Sequence, residues 1–303
     1  MDNSNDDRSF LKKILDVFGL LGFKITFVMA KVLPMSVASA IFANIFVLLS
    51  PFIPKTYLII KNLGNVMPGM PYFRRIQLMF KIWHSLGRFA GEYPYVYNFE
   101  KNEIFKYVNF DSSVKNTLDR LKHAKTGSII FSAHLSNWEI GLRALADYGI
   151  KIGVIFRKLN NPLLEPKYSK SLREKIGINM IAKHDGAAIN IIKSLRSGRN
   201  IIIMADQKDE ARGILVDFFG KKAYTSRSIY VLAKKLKVSV YGMRIIRDSK
   251  NPMKFSISTE EECTVTDEIS EKSFLSKYIN DVIERWIREN PEQWFWIHSR
   301  WKI

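Results

Sequence analysis

The feature that most limits what this chain can fold into is an alternation that begins at Ser128. Apolar runs that read as strands, at 128–134, 150–157, 178–182, 199–205 and 238–247, are separated by stretches of helical spacing near 138–148, 162–176, 186–197 and 225–236. Such alternation predicts an α/β fold in which a single sheet is covered by helices. A further strand near 254–259 precedes Phe274, Leu275, Tyr278, Ile279, Val282, Ile283, Trp286 and Ile287, an apolar stripe that stops at Asn290-Pro291 and reads as core packing.

The first strand delivers the chemistry. Ser128-Ile129-Ile130-Phe131-Ser132-Ala133-His134-Leu135-Ser136-Asn137-Trp138-Glu139 places a histidine at a strand end and a carboxylate five residues on, at a helix start. On one helix a five-residue step turns two side chains roughly 140° apart, so they meet only if the chain bends between them. Ser136 and Asn137 are good helix-capping types, which supplies the bend. The expected arrangement is a base with its orienting acid: Glu139 accepts the Nδ1–H of His134, leaving Nε2 to take a proton from a hydroxyl. A structural histidine is the alternative, since a lone His-x4-Glu is a common pattern. No serine or cysteine stands in a nucleophile-elbow pattern, so direct transfer to a hydroxyl is favoured over a covalent enzyme intermediate.

Charge narrows the partners. The 303 residues carry 47 Lys/Arg against 29 Asp/Glu, a net charge of +18, and residues 151–250 alone hold 22 basic against 8 acidic residues. Nucleic acid, anionic lipid, a phosphorylated substrate or an acidic carrier protein would each suit that field. Nucleic acid is set aside because no recognition module, zinc pattern or basic helix is visible. The single Cys263 excludes an internal disulfide and offers no metal-ligand cluster.

At the amino-terminal end, Phe10, Leu11, Ile14, Leu15, Phe18 and Leu21 recur at helical spacing, as in a helix lying on a membrane surface. Val32 to Pro54 then runs 23 residues without a charge. Its centre, Met35 to Ser50 between Pro34 and Pro51, would be about 24 Å long as a helix, short of the ~30 Å hydrocarbon layer. A tight span or an inserted hairpin is expected, with a buried core helix as the alternative. Residues 1–54 are accordingly read as an amphipathic segment and membrane anchor, and 55–303 as an α/β domain with a helical lead-in.

Three further clusters lie beyond strand ends. Arg157-Lys158 follows the second strand and Arg173 lies in Leu172-Arg173-Glu174-Lys175; guanidinium groups there can clamp a phosphate or stabilise a developing oxyanion. Asp206-Gln207 closes the strand Asn200 to Ala205, with a substrate contact and a purely structural aspartate both open. His84, His123, His184 and His298 lack metal-ligand spacing and read as structural or surface residues.

Together, His134-x4-Glu139, Phe156-Arg157-Lys158-x3-Pro162, Asp206-Gln207, the segment Val216 to Thr225 with its Phe218-Phe219-Gly220, and the terminal Pro291 to Lys302 with Trp294, Trp296 and Trp301 resemble the late acyltransferases of lipid A biosynthesis, the lauroyl/myristoyl type, within the lysophospholipid acyltransferase superfamily. The resemblance implies transfer of a fatty acyl group from acyl carrier protein to a hydroxyl of a 3-hydroxyacyl chain on a phosphorylated glycolipid, at the cytoplasmic face of a bacterial inner membrane. It implies His134 as base, Glu139 as its acidic partner, Arg173 as the arginine after the second strand, and Asp206 as the acid of an Asp-Gln pair. Arg157 and Gln207 complete the expected substrate-binding set. No resident cofactor, metal or nucleotide is implied, since the thioester carries the driving force. Lys158 departs from the family, many of whose members carry proline there. Two alternatives stand beside this reading: an acyltransferase acting on a lysophospholipid, glycerol phosphate or phosphoinositide mannoside, and a non-catalytic protein that binds anionic membranes.

Overall fold

The computed structural model describes residues 10–110, 112–156, 161–164, 170–182 and 187–301; Arg157, Lys158 and His184 lie outside the described residues. Four helices come first: α1 (Phe10–Val32), α2 (Met35–Leu49), α3 (Lys55–Val66) and α4 (Tyr72–Asn98). After β1 (Val108–Phe110) and α5 (Ser112–His123) the alternation sets in, with β2 (Ile129–Ser132), α6 (Trp138–Asp147), β3 (Ile152–Phe156), α7 (Lys170–Lys175), β4 (Asn179–Ala182), α8 (Ala187–Arg196) and β5 (Asn200–Met204). A hairpin, β6 (Gly213–Phe218) and β7 (Lys221–Ser226), interrupts it before α9 (Ser228–Leu236), β8 (Val240–Arg247) and β9 (Phe255–Thr259). The chain closes with α10 (Glu271–Ser273), a π-helical stretch Phe274–Asn280 and α11 (Asp281–Glu289).

Seven strands form one sheet in the order β1-β9-β8-β2-β5-β3-β4, parallel throughout except between β8 and β9. The predicted α/β class and the six predicted strands are present. The helix expected over 225–236 begins only at Ser228, because Lys221–Ser226 pairs as the second strand of the hairpin. That hairpin and the three-residue β1 were not foreseen.

The period-two alternation of β2 splits the core in two. Ile129 and Phe131 face one side of the sheet, where Phe131 stacks on Trp286 at 5.7 Å, and Ile130 faces the other, with Leu142 and Leu145 of α6. The stripe read as core is core: Phe274, Leu275, Ile279, Ile283, Trp286 and Ile287 are all buried.

Proline punctuation sets the limits of α2. Pro34 precedes it in extended conformation, and Pro51 sits in the 3₁₀ turn Ser50–Phe52 that ends it. One face of α2, with Met35, Ala38, Ser39, Phe42 and Ala43, is buried against α4. The approach is close enough that a Cβ on Gly87 would lie 2.4 Å from the Phe42 carbonyl oxygen, and one on Gly91 2.7 Å from that of Ala38. Only glycine fits at either place. The opposite face stays apolar and exposed, with Val37, Ile41, Ile45, Leu48 and Phe52, as does the α1 stripe Phe18, Leu21, Ile25, Val28 and Val32. Met35–Phe52 is long and apolar enough to cross a membrane by length and composition.

Candidate active site

Sheet register assembles the site. β2 pairs with β5 so that Ile129 to Ser132 lie opposite Ile201 to Met204; carried two residues past both strands, the same offset sets His134 against Asp206. Both residues therefore emerge side by side from the carboxyl ends of neighbouring parallel strands, where open α/β sheets place their sites.

The chain then turns sharply. Ser136 has φ +51, a left-handed conformation unusual for a residue with a Cβ, and its N–H donates to the Gln293 carbonyl at 2.7 Å. Leu135 forms a bridge with Trp294, and the Phe295 N–H donates to the His134 carbonyl at 3.1 Å. The Trp-rich terminal segment thus clamps the turn. As expected, Asn137 caps α6, accepting from the Ile140 N–H, and Glu139 falls in the first turn. The Asn137 amide also donates at 2.8 Å to the fully buried Glu92 of α4, which Arg247 engages with both terminal nitrogens at 2.7 Å. The Arg247 backbone is tied in turn to the Gln293 side chain in both directions, at 2.8 and 3.0 Å.

His134 Nδ1 lies 2.8 Å from Asp206 Oδ1. The other oxygen of Asp206 accepts from the His134 backbone N–H at 3.0 Å and from the Trp294 indole at 2.8 Å. Burial alone would raise the Asp206 pKa, but the facing imidazole and the Trp294 and backbone donors outweigh it and hold the carboxyl at about 2. A carboxylate anchored in this way fixes the Nδ1–H tautomer and supports the imidazolium. Nε2 has no hydrogen-bond partner among the described residues, and the imidazole is partly exposed.

This corrects the expected His134–Glu139 pairing. Glu139 is buried and turned to Arg173, whose Nε donates at 3.1 Å and whose Nη2 also reaches the carboxylate. The Tyr97 hydroxyl and the Trp138 indole complete its shell. Burial would raise the Glu139 pKa; the Arg173 charge, with the hydrogen bonds, brings it below the usual carboxylate value. The physical reason is α6 itself. Its first turn directs Glu139 inward between α4 and α7, while His134 looks along β2 toward β5. Trp138 stands between them, its ring 4.9 Å from that of His134.

Of the remaining expected residues, Arg173 lies in α7 and spends its guanidinium on Glu139, Gln207 is exposed beside Asp206, and Arg157 is not described. His298, read as structural, accepts the Lys208 N–H on Nε2 at 2.9 Å. Burial first, then Arg300, His134 and Lys208, lower its pKa to about 4 against the opposing pull of Asp206, so it is neutral at pH 7. Residues that sequence reasoning missed are Trp294, Tyr97, Glu92 and Arg247. Glu92 had a signal, as a lone acid in the aromatic run Phe89 to Tyr97.

The motifs of the terminal segment also acquire a place. Trp301 stacks on Phe218 at 5.5 Å, and the fully buried Arg300 lies over the Phe218 ring and donates to Thr225 Oγ1 at 2.7 Å. The tail thereby locks the β6–β7 hairpin and aims Trp294 at Asp206. On the α6 side of the sheet, Ile130, Leu142, Leu145, Ile202, Met243 and Ile245 line a narrow apolar cleft, with Ser132 and Trp138 also in its wall.

A histidine oriented by a buried aspartate at the strand ends of an α/β sheet, beside an apolar cleft, is an arrangement able to take a proton from a hydroxyl. Comparison with known proteins makes this specific: residues 7–303 match the bacterial lipid A biosynthesis acyltransferases, and the chain belongs to that family. It is 24% identical over 245 residues to a lipid A biosynthesis palmitoleoyltransferase of Escherichia coli K12, covering 80% of this chain and 77% of that protein. A lipid A biosynthesis acyltransferase of Shigella flexneri matches to the same extent.

Proposed function

We propose that this acyltransferase moves a fatty acyl group from acyl carrier protein to the hydroxyl of a 3-hydroxyacyl chain on a phosphorylated lipid A precursor. The observation that carries the chemistry is the Asp206–His134 pair, with Nε2 unengaged among the described residues. The acceptor hydroxyl gives its proton to Nε2 as its oxygen attacks the thioester carbonyl. The tetrahedral intermediate collapses, expelling the carrier's thiolate, which recovers the proton from the imidazolium. An ester and a free thiol result, and Asp206 remains ionised throughout. Glu139 and Arg173 act as a brace that fixes Trp138 and the start of α6. Arg157 remains a candidate for the oxyanion or the donor.

The apolar cleft beside Trp138 is the natural seat for the acyl chain. Gly141 opens part of it, since a Cβ there would only touch Ile245 at 3.5 Å. Residues 1–54 are proposed as the membrane-binding part and 55–303 as the catalytic body, at the cytoplasmic face of the inner membrane. The exposed stripes of α1 and α2 support this, together with the basic balance of the chain.

The test is mass spectrometry of lipid A from cells with and without the protein, alongside purified protein supplied with acyl carrier protein thioester and precursor. A gain of one secondary acyl chain is expected. Gain on a glycerophospholipid instead, or binding to anionic vesicles with no transfer, would reject the reading.

A further inference from the structure

Behind the Trp138 wall lies a cluster of charges that the proposed chemistry does not use. Glu92 is fully buried, and its single negative charge is satisfied by the two-pronged Arg247 and by Ser39 Oγ, which donates at 2.6 Å. A second guanidinium, Arg88, stands one α4 turn away. It donates to Ser39 Oγ at 3.1 Å, and among the described residues no carboxylate lies within 4 Å of it. The cluster therefore holds two arginines for one carboxylate. Burial, then repulsion from Arg247, lowers the Arg88 pKa against the weaker pull of Glu92, and burial followed by Arg88 and Arg247 lowers that of His84. A half-buried guanidinium with no carboxylate in direct contact among the described residues is suited to take an anion.

The position of the cluster says which anion. Phe89, the neighbour of Arg88, stacks on Trp138 at 4.2 Å, and Trp138 edges His134 at 4.9 Å. On its other side Arg88 meets Ser39 of α2, whose opposite face is the exposed apolar one. Arg88 thus touches the helix that carries the exposed apolar stripe, and its helical neighbour Phe89 leads through Trp138 to the candidate base, a setting that suits the polar head of a lipid. We propose that Arg88 and His84 bind a phosphomonoester of the acceptor and thereby set which hydroxyl reaches His134. The proposal rests on the acyl-transfer reading above. Arg88 supplies the fork that matches phosphate oxygens, His84 adds a donor once protonated against the dianion, and the Arg247–Glu92 pair holds the cradle rigid.

The experiment compares wild type, Arg88→Gln, Arg88→Lys and His84→Gln on a phosphorylated acceptor and its dephosphorylated counterpart, in neutral micelles and in micelles containing phosphatidylglycerol. For Arg88→Gln the acceptor KM is expected to rise about tenfold or more on the phosphorylated acceptor and less than about twofold on the dephosphorylated one. Arg88→Lys should recover part of the loss, and His84→Gln should show a smaller rise with the same phosphate dependence. Equal rises on both acceptors would reduce Arg88 to a structural role. A rise that follows phosphatidylglycerol and ignores the acceptor's phosphate would reassign the site to bilayer headgroups. Either result overturns the proposal. Independently of turnover, titration with inorganic phosphate should shift the His84 ring resonances saturably in wild type and not in Arg88→Gln, with sodium chloride as the control. No saturable shift in wild type overturns the site. If wild type transfers nothing to either acceptor, the reaction reading falls by itself, and the phosphate titration still decides the site.

Discussion

Two buried carboxylates flank one turn and do opposite things. Asp206 faces a histidine, a partner that can gain and lose a proton, and the other edge of that ring has no hydrogen-bond partner among the described residues. Glu139 faces an arginine, a partner that never changes charge, and closes its shell with Tyr97 and Trp138. The lesson is that a carboxylate's function is set by its partner. Its sequence distance from a histidine decides little. The carboxylate five residues from His134 braces the scaffold; the one that serves the histidine comes from 72 residues away.

The comparison can be broken by substitution. The largest effect is expected from His134→Ala, with transfer falling ~10²–10⁴-fold while the protein stays folded at a lowered melting temperature, because the partly exposed imidazole packs little but is the partner of the buried Asp206. Wild-type turnover would remove His134 from the reaction. Asp206→Asn should come next in lost kcat, since an amide can hold the wrong tautomer and cannot stabilise an imidazolium. Retained kcat there would leave Asp206 as a loop anchor only.

Glu139→Gln should show the reverse balance. It removes the carboxylate that faces the largely covered Arg173, which costs about 3 kcal/mol of stability, and the double variant Glu139→Gln, Arg173→Met should recover much of that. A kcat loss as deep as that of Asp206→Asn, with unchanged melting, would return Glu139 to the chemistry. Acid provides a milder probe. Because the Asp206 pKa is lowered to about 2 on folding, its stabilising contribution is complete above about pH 4 and is lost as the pH falls toward 2. From the shift, that contribution is about 2 kcal/mol. Asp206→Asn should flatten this acid limb of the stability curve; an unaltered limb would refute the assignment. The smallest effect is expected from Gly141→Val, which fills part of the cleft: total transfer should survive while the preferred acyl chain shortens, as read by competition between thioesters. An unchanged preference would place the chain elsewhere.

How much of this could be read beforehand follows from the range of each interaction. Local features were legible. Pro34 and Pro51 bound α2, Asn137 caps α6, and apolar runs mark six strands. His134 was legible because a strand and a helix start adjoin it. Its partner was not, since the β2–β5 register is a property of the sheet and no local pattern encodes it. The Trp-rich tail was recognisable as a signature, but its task of aiming Trp294 at Asp206 depends on the hairpin that Phe218 and Arg300 join. β1 was missed because three residues carry too little alternation to read.

The reach of these contacts also orders events in time. As the chain leaves the ribosome, His134 appears first, Asp206 follows 72 residues later, and Trp294 another 88 after that. Until the final segment arrives, the turn at Ser136 lacks the Gln293 carbonyl that holds it, and the aspartate lacks the indole that fixes its second oxygen. A nascent chain of this protein therefore carries a histidine but no organised base. The His134–Asp206 pair is completed only after Trp294 has been made, when the strands that carry both residues are already available to fold.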